Sequence, residues 1–419
     1  MPNPNRPLSR KLFVTIAVVA LCSAFMVVQA QTTVRWLAGE WGQERALALI
    51  EQFEAENPDI RIEADFAPWD GLEQRMLVTL RGASPPDLVD VTNTWNISFA
   101  GLGLLQPLDP YLWDGFDSDV FYPTNWETTQ HGGQTYGLPF RTDVLALVYN
   151  RNMLAEVGLP DRGPDTWDEL LEFSQALTRD TTGDGQIDTY GWGSVGSNAS
   201  NVIFRVLPLI WQNGGRVLSD DNSHSLLHEP EAVEAVQFYA DLFAEHGVAP
   251  ASTMSNNAQE VDRLFINRRI GINMTGPWIV PQLRAQAPDL DFATAPMVRR
   301  HDERTVAMGG WNIALARNAG QPEAAARFLE FFIRPENVAY YTETLPAVRA
   351  SSEAERFADP ALQGFIAQLE HTHMLPLIPE WTQVQQVIFE EVQQVMFERK
   401  SAEQAMQDAS NQIDQILAR

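Results

Sequence analysis

The sequence predicts an α/β protein of two lobes, and three observations carry that prediction. The chain has 419 residues, more than one small hydrophobic core organises, so two lobes or domains are expected. Its hydrophobic content of 45%, with 10% aromatic residues, is that of a folded globular chain able to fill a sizeable core. Apolar residues alternate over short runs and then recur at helical spacing, strand before helix, which is the order of a parallel sheet covered by helices.

Residues 1–30 stand apart from that fold. Arg6, Arg10 and Lys11 precede an apolar run over residues 12–28, and Val28-Gln29-Ala30 offers small residues for cleavage after Ala30. This is the composition of an export signal. Beyond it, Thr33-Val34-Arg35-Trp36-Leu37 reads as a strand. Ala46, Leu49, Ile50 and Phe53 then fall on one face of a helix that Asn57-Pro58 stops. Ile60 and Ile62 alternate in a second strand, and Leu72, Met76, Leu77 and Leu80 make the next helical stripe. A third strand covers residues 88–91.

The centre of the chain is Gly137-Leu138-Pro139-Phe140-Arg141-Thr142-Asp143, followed by the apolar run 144–148 and Tyr149-Asn150. The run is long enough for a buried strand. Its polar entrance places Arg141 and Asp143 where such a strand meets a surface. Thr166 and Glu169 form a capping box that opens the helix begun by Trp167 and Leu170. Further helices are expected over residues 233–243, 324–333 and 384–396, with a last one ending at Leu417. Neither an internal repeat nor a low-complexity linker divides the chain, so strands should join the lobes.

Charge and cysteine usage exclude several classes. Three of the 29 basic residues and none of the 55 acidic ones lie in the first 30, which leaves −29 on the rest. Such a charge repels nucleic acid and anionic membrane surfaces. Cys22 is the single cysteine, so after residue 30 neither a disulfide nor a cysteine metal site can form. No stretch beyond residue 30 reaches the roughly 18 apolar residues of a membrane span.

The loops carry the chemistry. In parallel α/β sheets ligands sit beyond the carboxyl ends of the strands. Each of the first three strand exits or returns carries Trp with a polar neighbour: Glu40-Trp41, Trp69-Asp70, and Asn93 with Trp95. Together they read as a stacking platform. Met274-Thr275-Gly276-Pro277-Trp278 and Met308-Gly309-Gly310-Trp311 add two more, and the paired glycines allow close backbone approach. Gly191-Trp192-Gly193-Ser194-Val195-Gly196 spells a dinucleotide fingerprint, but no acidic residue follows at the required distance. It reads instead as a turn presenting Trp192 to a cleft. Asp180, Thr182, Asp184, Gln186 and Asp188 stand at alternate positions around Gly183 and Gly185, as in an EF-hand calcium loop whose Ile187 anchors it. Gly191 replaces the final bidentate Glu, so the ligand set is incomplete; structural calcium and an ion-free Asp/Gly turn both stay open.

Taken together, Leu138-Pro139 through Tyr149-Asn150, the Pro164 to Leu170 helix start, Gly276-Pro277-Trp278, Gly309-Gly310-Trp311 and Leu345-Pro346-Ala347-Val348-Arg349 resemble the sugar-binding branch of the extracellular solute-binding proteins (family 1). These are receptors of bacterial ABC importers, similar to maltose- and trehalose-binding proteins. The resemblance covers essentially the whole chain after residue 30. It implies a two-lobed fold of the periplasmic-binding-protein class II type, each lobe a mostly parallel sheet flanked by helices, closing about three crossings. Those crossings are expected near residues 141–143, 305–308 and 345–349. The first lobe then takes 31–141 with about 308–345, and the second about 143–306 with 346–419. Asp143 would accept from sugar hydroxyls, Trp278 and Trp311 would stack on pyranose faces, Gly310 would donate from its backbone, and Arg349 would bind a hydroxyl. Glu40, Trp41, Trp69, Asp70, Asn93, Trp95 and Trp192 join the list by loop position.

The resemblance implies a monomer that takes a carbohydrate, needs no cofactor, and meets the transmembrane subunits of an ABC permease outside the cytoplasm. Two rivals remain. Arg141 and Arg349 together suit an anionic ligand such as a glycerol phosphate or a uronic sugar. Trp platforms with carboxylates also occur in glycoside hydrolases, which need two carboxyl groups flanking one bond.

Overall fold

A computed structural model describes residues 31–301, 303–342 and 344–418. The export signal expected over residues 1–30 lies outside them. The opening strands and helices fall where their periodicity puts them. Strand β1 (Thr32–Gly39) leads to a helix over Gln43–Glu56 that buries Ala46, Leu49, Ile50 and Phe53. Strand β2 (Ile60–Ala67) leads to a helix over Leu72–Leu80 that buries Leu72, Met76 and Leu80, and β3 (Leu88–Thr92) follows. These three strands are parallel, in the order β3-β1-β2.

The remaining strands are β4 (Gln130–His131) and β5 (Gln134–Thr135), which form a small hairpin, then β6 (Leu138–Val144), β7 (Ala146–Asn150), β8 (Tyr190–Gly193), β9 (Ile270–Thr275), β10 (Phe292–Ala295), β11 (Val306–Leu315), β12 (Leu345–Pro346) and β13 (Thr372–Met374). They build two sheets. The larger has the order β12-β6-β11-β3-β1-β2 with β13 beside β11, and the smaller β10-β7-β9-β8. β11 runs antiparallel to β3 and β6, and β7 antiparallel to β9 and β10. The sheets are thus parallel where βαβ units build them and antiparallel where returning strands join.

Each sheet carries its own core. The first gathers Trp36, Phe53, Phe99 and Phe140 with Phe328, Phe331 and Phe332 from the helix Pro322–Phe332. The Trp36 and Phe328 rings lie 5.5 Å apart, and Phe328 meets Phe53 edge-on at 5.1 Å. Although the helix is more than 260 residues from Phe53 in sequence, its every-third-and-fourth aromatic pattern points it into this core. The second core includes Leu147, Trp167, Phe173, Tyr239, Phe265 and Val392.

Three segments pass between the lobes. β6 pairs in the large sheet and β7 in the small one, with only Leu145 between them. The first crossing therefore lies at Leu145, close to the expected residues 141–143. In β11, Val306 and Ala307 pack in the second core while Trp311 packs in the first. The third passage comes later than expected. Pro346 still pairs with Arg141, Val348 bridges Phe121, and Ser351 Oγ donates to the Pro335 carbonyl at 2.8 Å. Leu345 touches the second core with its side chain, but the chain enters that core only at Ala354 and Phe357. Residues 346–351 thus stay with the first lobe, because their backbone partners are there. Across the lobes, Thr382 Oγ1 donates to Glu73 Oε1 at 2.8 Å. Among the described residues no helix is long and apolar enough to cross a membrane.

Gly310 sits where β11 presses on β6, at φ +154°, with a register shift between Trp311 and Asn312. A Cβ there would stand 2.4 Å from the Arg141 carbonyl oxygen and 3.1 Å from the Asn93 amide nitrogen. Gly310→Ala is therefore expected to lower unfolding free energy by about 1–3 kcal/mol, read by urea denaturation. An unchanged midpoint and slope would show that the strand gives way without strain.

Candidate ligand-binding cleft

Between the lobes lies a cavity of about 210 Å³ whose walls come from both. Its first-lobe wall grows from a row across three strands. Arg141 on β6 pairs with Trp311 on β11, which pairs with Thr92 at the end of β3. Side chains in register on one face of a sheet point the same way, so the row presents a guanidinium beside an indole. Thr92 caps the helix Asn93–Gly101 by accepting from the Trp95 amide, leaving Asn93 in the first turn facing the cavity.

Trp41 and Trp69 complete this wall. Trp41 packs on Trp311 with ring centroids 4.4 Å apart, and Trp69 meets Trp311 edge-on at 5.8 Å. Behind them Trp95 stacks on Trp69 at 5.4 Å and 10°. Trp95 is buried and does not line the cavity; it packs against Trp69 and Trp311 from behind.

The second-lobe wall comes from the first two turns of helices. Ser200, Asn201, Phe204 and Arg205 belong to the helix Ala199–Gln212, and Ala258 and Gln259 to the helix Ala258–Ile266. Trp278 follows β9 and leads into the helix Ile279–Gln286, which adds Gln282. Asn201 Oδ1 accepts from the Ala258 amide at 3.0 Å, locking the two helix starts together. Only Trp278 was marked in the sequence. The others carry neither an aromatic cluster nor a glycine pair, and only their position at helix starts facing a cleft distinguishes them.

Both lobes use one local device to aim a Trp. Gly39 precedes Trp41 by two residues and Gly276 precedes Trp278 by two. A Cβ on either glycine would sit 2.0 Å from the ring of the Trp that follows. Each indole folds back over its glycine, which only a residue lacking Cβ permits.

A buried aspartate backs each Trp. Asp90 accepts from Trp36 Nε1 at 2.8 Å and from the Gly39 amide at 3.3 Å, fixing the strand end that launches Trp41. Asp262 accepts from Trp278 Nε1 at 2.9 Å and from Asn273 Nδ2 at 2.8 Å. Burial raises both carboxyls above the ordinary carboxylate range, Asp90 to about 7, against the lowering effect of their hydrogen bonds.

Arg141 and Asp143 lie side by side in the cavity wall, each 7% exposed, with Arg141 Nε donating to Asp143 Oδ1 at 2.8 Å. Several polar atoms nearby are differently placed. The Asn93 amide oxygen and nitrogen and the Thr344 hydroxyl are buried at the cavity without a protein hydrogen-bond partner. Arg205, also buried, donates from Nη1 to the Asn201 carbonyl and from Nη2 to the Met274 carbonyl.

The structure thus brings Trp41, Trp69, Asn93, Arg141, Asp143, Trp278, Gly310 and Trp311 together. It places five expected residues elsewhere. Glu40 and Asp70 are exposed outside the cavity. Trp192 is buried in the second core, on a strand that Gly191 lets lie directly against the backbone of Ser174, so no turn presents it. Arg349 donates from Nε to the Phe121 carbonyl at 2.9 Å and lies over the Tyr122 ring at 5.3 Å, held by the first lobe's outer segment. Trp95 supports rather than lines.

The loop at 180–188 closes on itself. Asp180 Oδ1 accepts from the Thr182 and Gly183 amides and Oδ2 from the Gly185 amide, while Asp188 accepts from Thr181 and Asp184 from the Gln186 amide. Backbone donors, Gly185 first, hold the Asp180 carboxyl below its ordinary value. Ile187, expected to anchor the loop, is 46% exposed. The carboxylates accept from the loop's own amides, the hydrogen bonding of an Asx-type turn. Among the described residues no group of three or more His, Cys, Asp or Glu could hold a metal ion.

Comparison with known proteins places this geometry. The bacterial extracellular solute-binding protein family matches residues 41–339. A binding protein of Brucella abortus (strain 2308) is 25% identical over 414 residues, covering 97% of each chain. The maltotriose-binding protein of Pyrococcus abyssi (strain GE5 / Orsay) is 27% identical over 357 residues, 82% of this chain and 73% of that one. Among solved structures, an ABC transporter solute-binding protein of Thermotoga lettingae TMO, bound with α-D-tagatose, superposes with a TM-score of 0.84 at 25% identity, covering 92% of this chain and 100% of that one.

Two outcomes follow. Chelation by EDTA is expected to leave the melting temperature unchanged, because the 180–188 loop satisfies its own carboxylates; a fall reversed by calcium would reinstate the ion. The second concerns Asp90, whose folded carboxyl keeps its proton to about pH 7 while the unfolded chain loses it near its ordinary value of 3.8. Between those values the folded state binds more protons, so this group's contribution falls as pH rises. The stability of wild type relative to Asp90→Asn should therefore decline from about pH 4 to about pH 7, by an amount on the order of 3 kcal/mol, and flatten above. Parallel pH profiles from urea denaturation would rule it out.

Proposed function

The chain belongs to the bacterial extracellular solute-binding proteins, and on that premise we propose that it captures a neutral carbohydrate between its lobes and delivers it to an ABC permease. One observation carries the ligand class. The Asn93 amide and the Thr344 hydroxyl are buried without partners among the rings of Trp41, Trp69, Trp311, Trp278 and Phe204. A buried polar group without a partner is costly, so the site expects its hydrogen bonds from a ligand. A sugar ring has an apolar C–H face for the indoles and a rim of hydroxyls for the amide, hydroxyl and carboxylate. Missing hydroxyls then leave these groups unsatisfied, which is the source of specificity.

The ligands of two of the relatives, maltotriose and tagatose, agree with this class, while a relative from Shigella dysenteriae named for binding sn-glycerol-3-phosphate supports the anionic alternative in part. The hydrolase reading finds little support, since Asp143 is the single carboxylate among the described residues lining the cavity and it is tied to Arg141. The anionic reading needed Arg141 and Arg349 on one ligand. Arg349 lies elsewhere, Arg141 faces Asp143, and Arg205 gives both Nη groups to carbonyls, leaving only Nε without a partner. We assign the protein to the space outside the cytoplasm, periplasmic or extracellular, as a monomer that acts on its ligand without chemistry. Closure of the lobes would exclude water from the bound sugar and present a surface spanning both to the permease.

Titration with neutral saccharides, followed by tryptophan fluorescence, should give saturable binding. Asn93→Ala should weaken it by about 1–3 kcal/mol while leaving thermal stability equal or higher, because the variant removes an unpartnered amide. Equal affinity in the variant would take Asn93 out of the site. Release of reducing ends would defeat the receptor reading, and a response confined to phosphates or uronates would favour an anionic ligand.

A further inference from the structure

The Arg141 side chain occupies a position that a ligand would otherwise take. Its guanidinium carbon lies 5.9 Å from the ring centroid of Trp41, on the first lobe, and 5.8 Å from that of Trp278, on the second. A planar cation between two indole faces is a stable arrangement in a desolvated setting. Neither ring owes its pose to Arg141 alone. Trp41 is folded over Gly39 and braced by Trp311, while Trp278 is folded over Gly276 and hydrogen-bonded to Asp262. The slot between the rings is thus built by the two lobes, and the guanidinium fills it.

The side chain is also held from behind. Arg141 Nε donates to Asp143 Oδ1, and both side chains are about nine-tenths buried. Withdrawing either charge alone would leave the other uncompensated in a poorly solvated place, so the pair does not separate easily. A sugar ring entering between Trp41 and Trp278 would have to expel this pair from its slot. What remains for the ligand is the part of the cavity faced by Trp311, Trp69 and Phe204, with the unpartnered Asn93 and Thr344 beside it. With Arg205 Nε and Trp41 Nε1, also buried there without partners, these are few enough for one or two sugar rings to satisfy.

Resting on the carbohydrate reading above, we propose that Arg141 is a length-determining residue: plugging the Trp41–Trp278 slot, it restricts the cleft to a neutral mono- or disaccharide and excludes longer oligosaccharides. Replacing it by a small side chain vacates an aromatic slot of the shape that stacks on both faces of a pyranose, and so adds a subsite.

Calorimetric titration with glucose, galactose, xylose and their α- and β-linked di-, tri- and tetrasaccharides tests this directly. In wild type, affinity should peak at one or two rings and fall for three and four. In Arg141→Ala, trisaccharide affinity relative to disaccharide should rise by about tenfold or more, as one added stacked ring would give. Should that variant fail to fold, Arg141→Gln combined with Asp143→Asn removes both charges together, shortens the plug and should give the same gain. Tighter wild-type binding of tri- or tetrasaccharides than of disaccharides overturns the length proposal and leaves the carbohydrate reading standing. An unchanged length preference in a folded Arg141→Ala overturns it as well. If wild type binds none of these saccharides, the carbohydrate reading fails and the proposal with it.

Discussion

The buried pair of Arg141 and Asp143 is the interaction on which the cleft depends. It stands on β6, at the end of the first lobe's sheet and two residues before the chain enters the second. A charge pair this far from solvent persists only when its geometry is good and its surroundings compensate it. Here the compensation comes from both lobes, an indole from each side and a carboxylate from the same strand. Wall, hinge and inter-lobe contact therefore meet in two side chains. Burial and charge balance cannot be altered in one without being felt in the others.

The two lobes solve the same problem in the same way. Each ends a strand with a glycine, folds a Trp back over it, and places a buried aspartate behind. In the first lobe Asp90 secures the backbone at Gly39, and in the second Asp262 secures the indole of Trp278. Both carboxyls are raised by burial, which marks them as structural groups kept out of solvent and not as exposed ligand-binding charges. The rings they position are consequently ready before any ligand arrives, which lowers the ordering cost of binding.

Much of this was legible in the sequence. Strand-helix alternation, the break at Asn57-Pro58 and the aromatic stripe of residues 328–332 are local signals, and local physics decided them. The Trp residues at strand exits were legible for the same reason, since exits of such sheets face ligands. Trp192 was not, because its glycine neighbours suit a turn equally well as a strand packed tightly against a helix, and only tertiary contact with Ser174 distinguishes the two. Arg349 failed likewise: nothing near it in sequence announces Phe121 and Tyr122, more than 220 residues earlier. Asn201, Phe204, Arg205 and Gln259 were missed because the start of a helix becomes a binding surface only when two helices converge.

Leu145 has a mechanical consequence. Because this single residue separates pairing in one sheet from pairing in the other, the lobes are joined there by almost continuous β-structure with no slack. A relative rotation of the lobes must be taken up as twist along that strand, so the connection behaves as a torsion spring and not as a loose joint. Such a spring returns the lobes to one resting angle and couples any turn of the second lobe to the orientation of Asp143, two residues upstream. Mechanical compliance, and with it the speed of opening, is then set by the side chain at 145 and its neighbours, in the wall of the cavity itself.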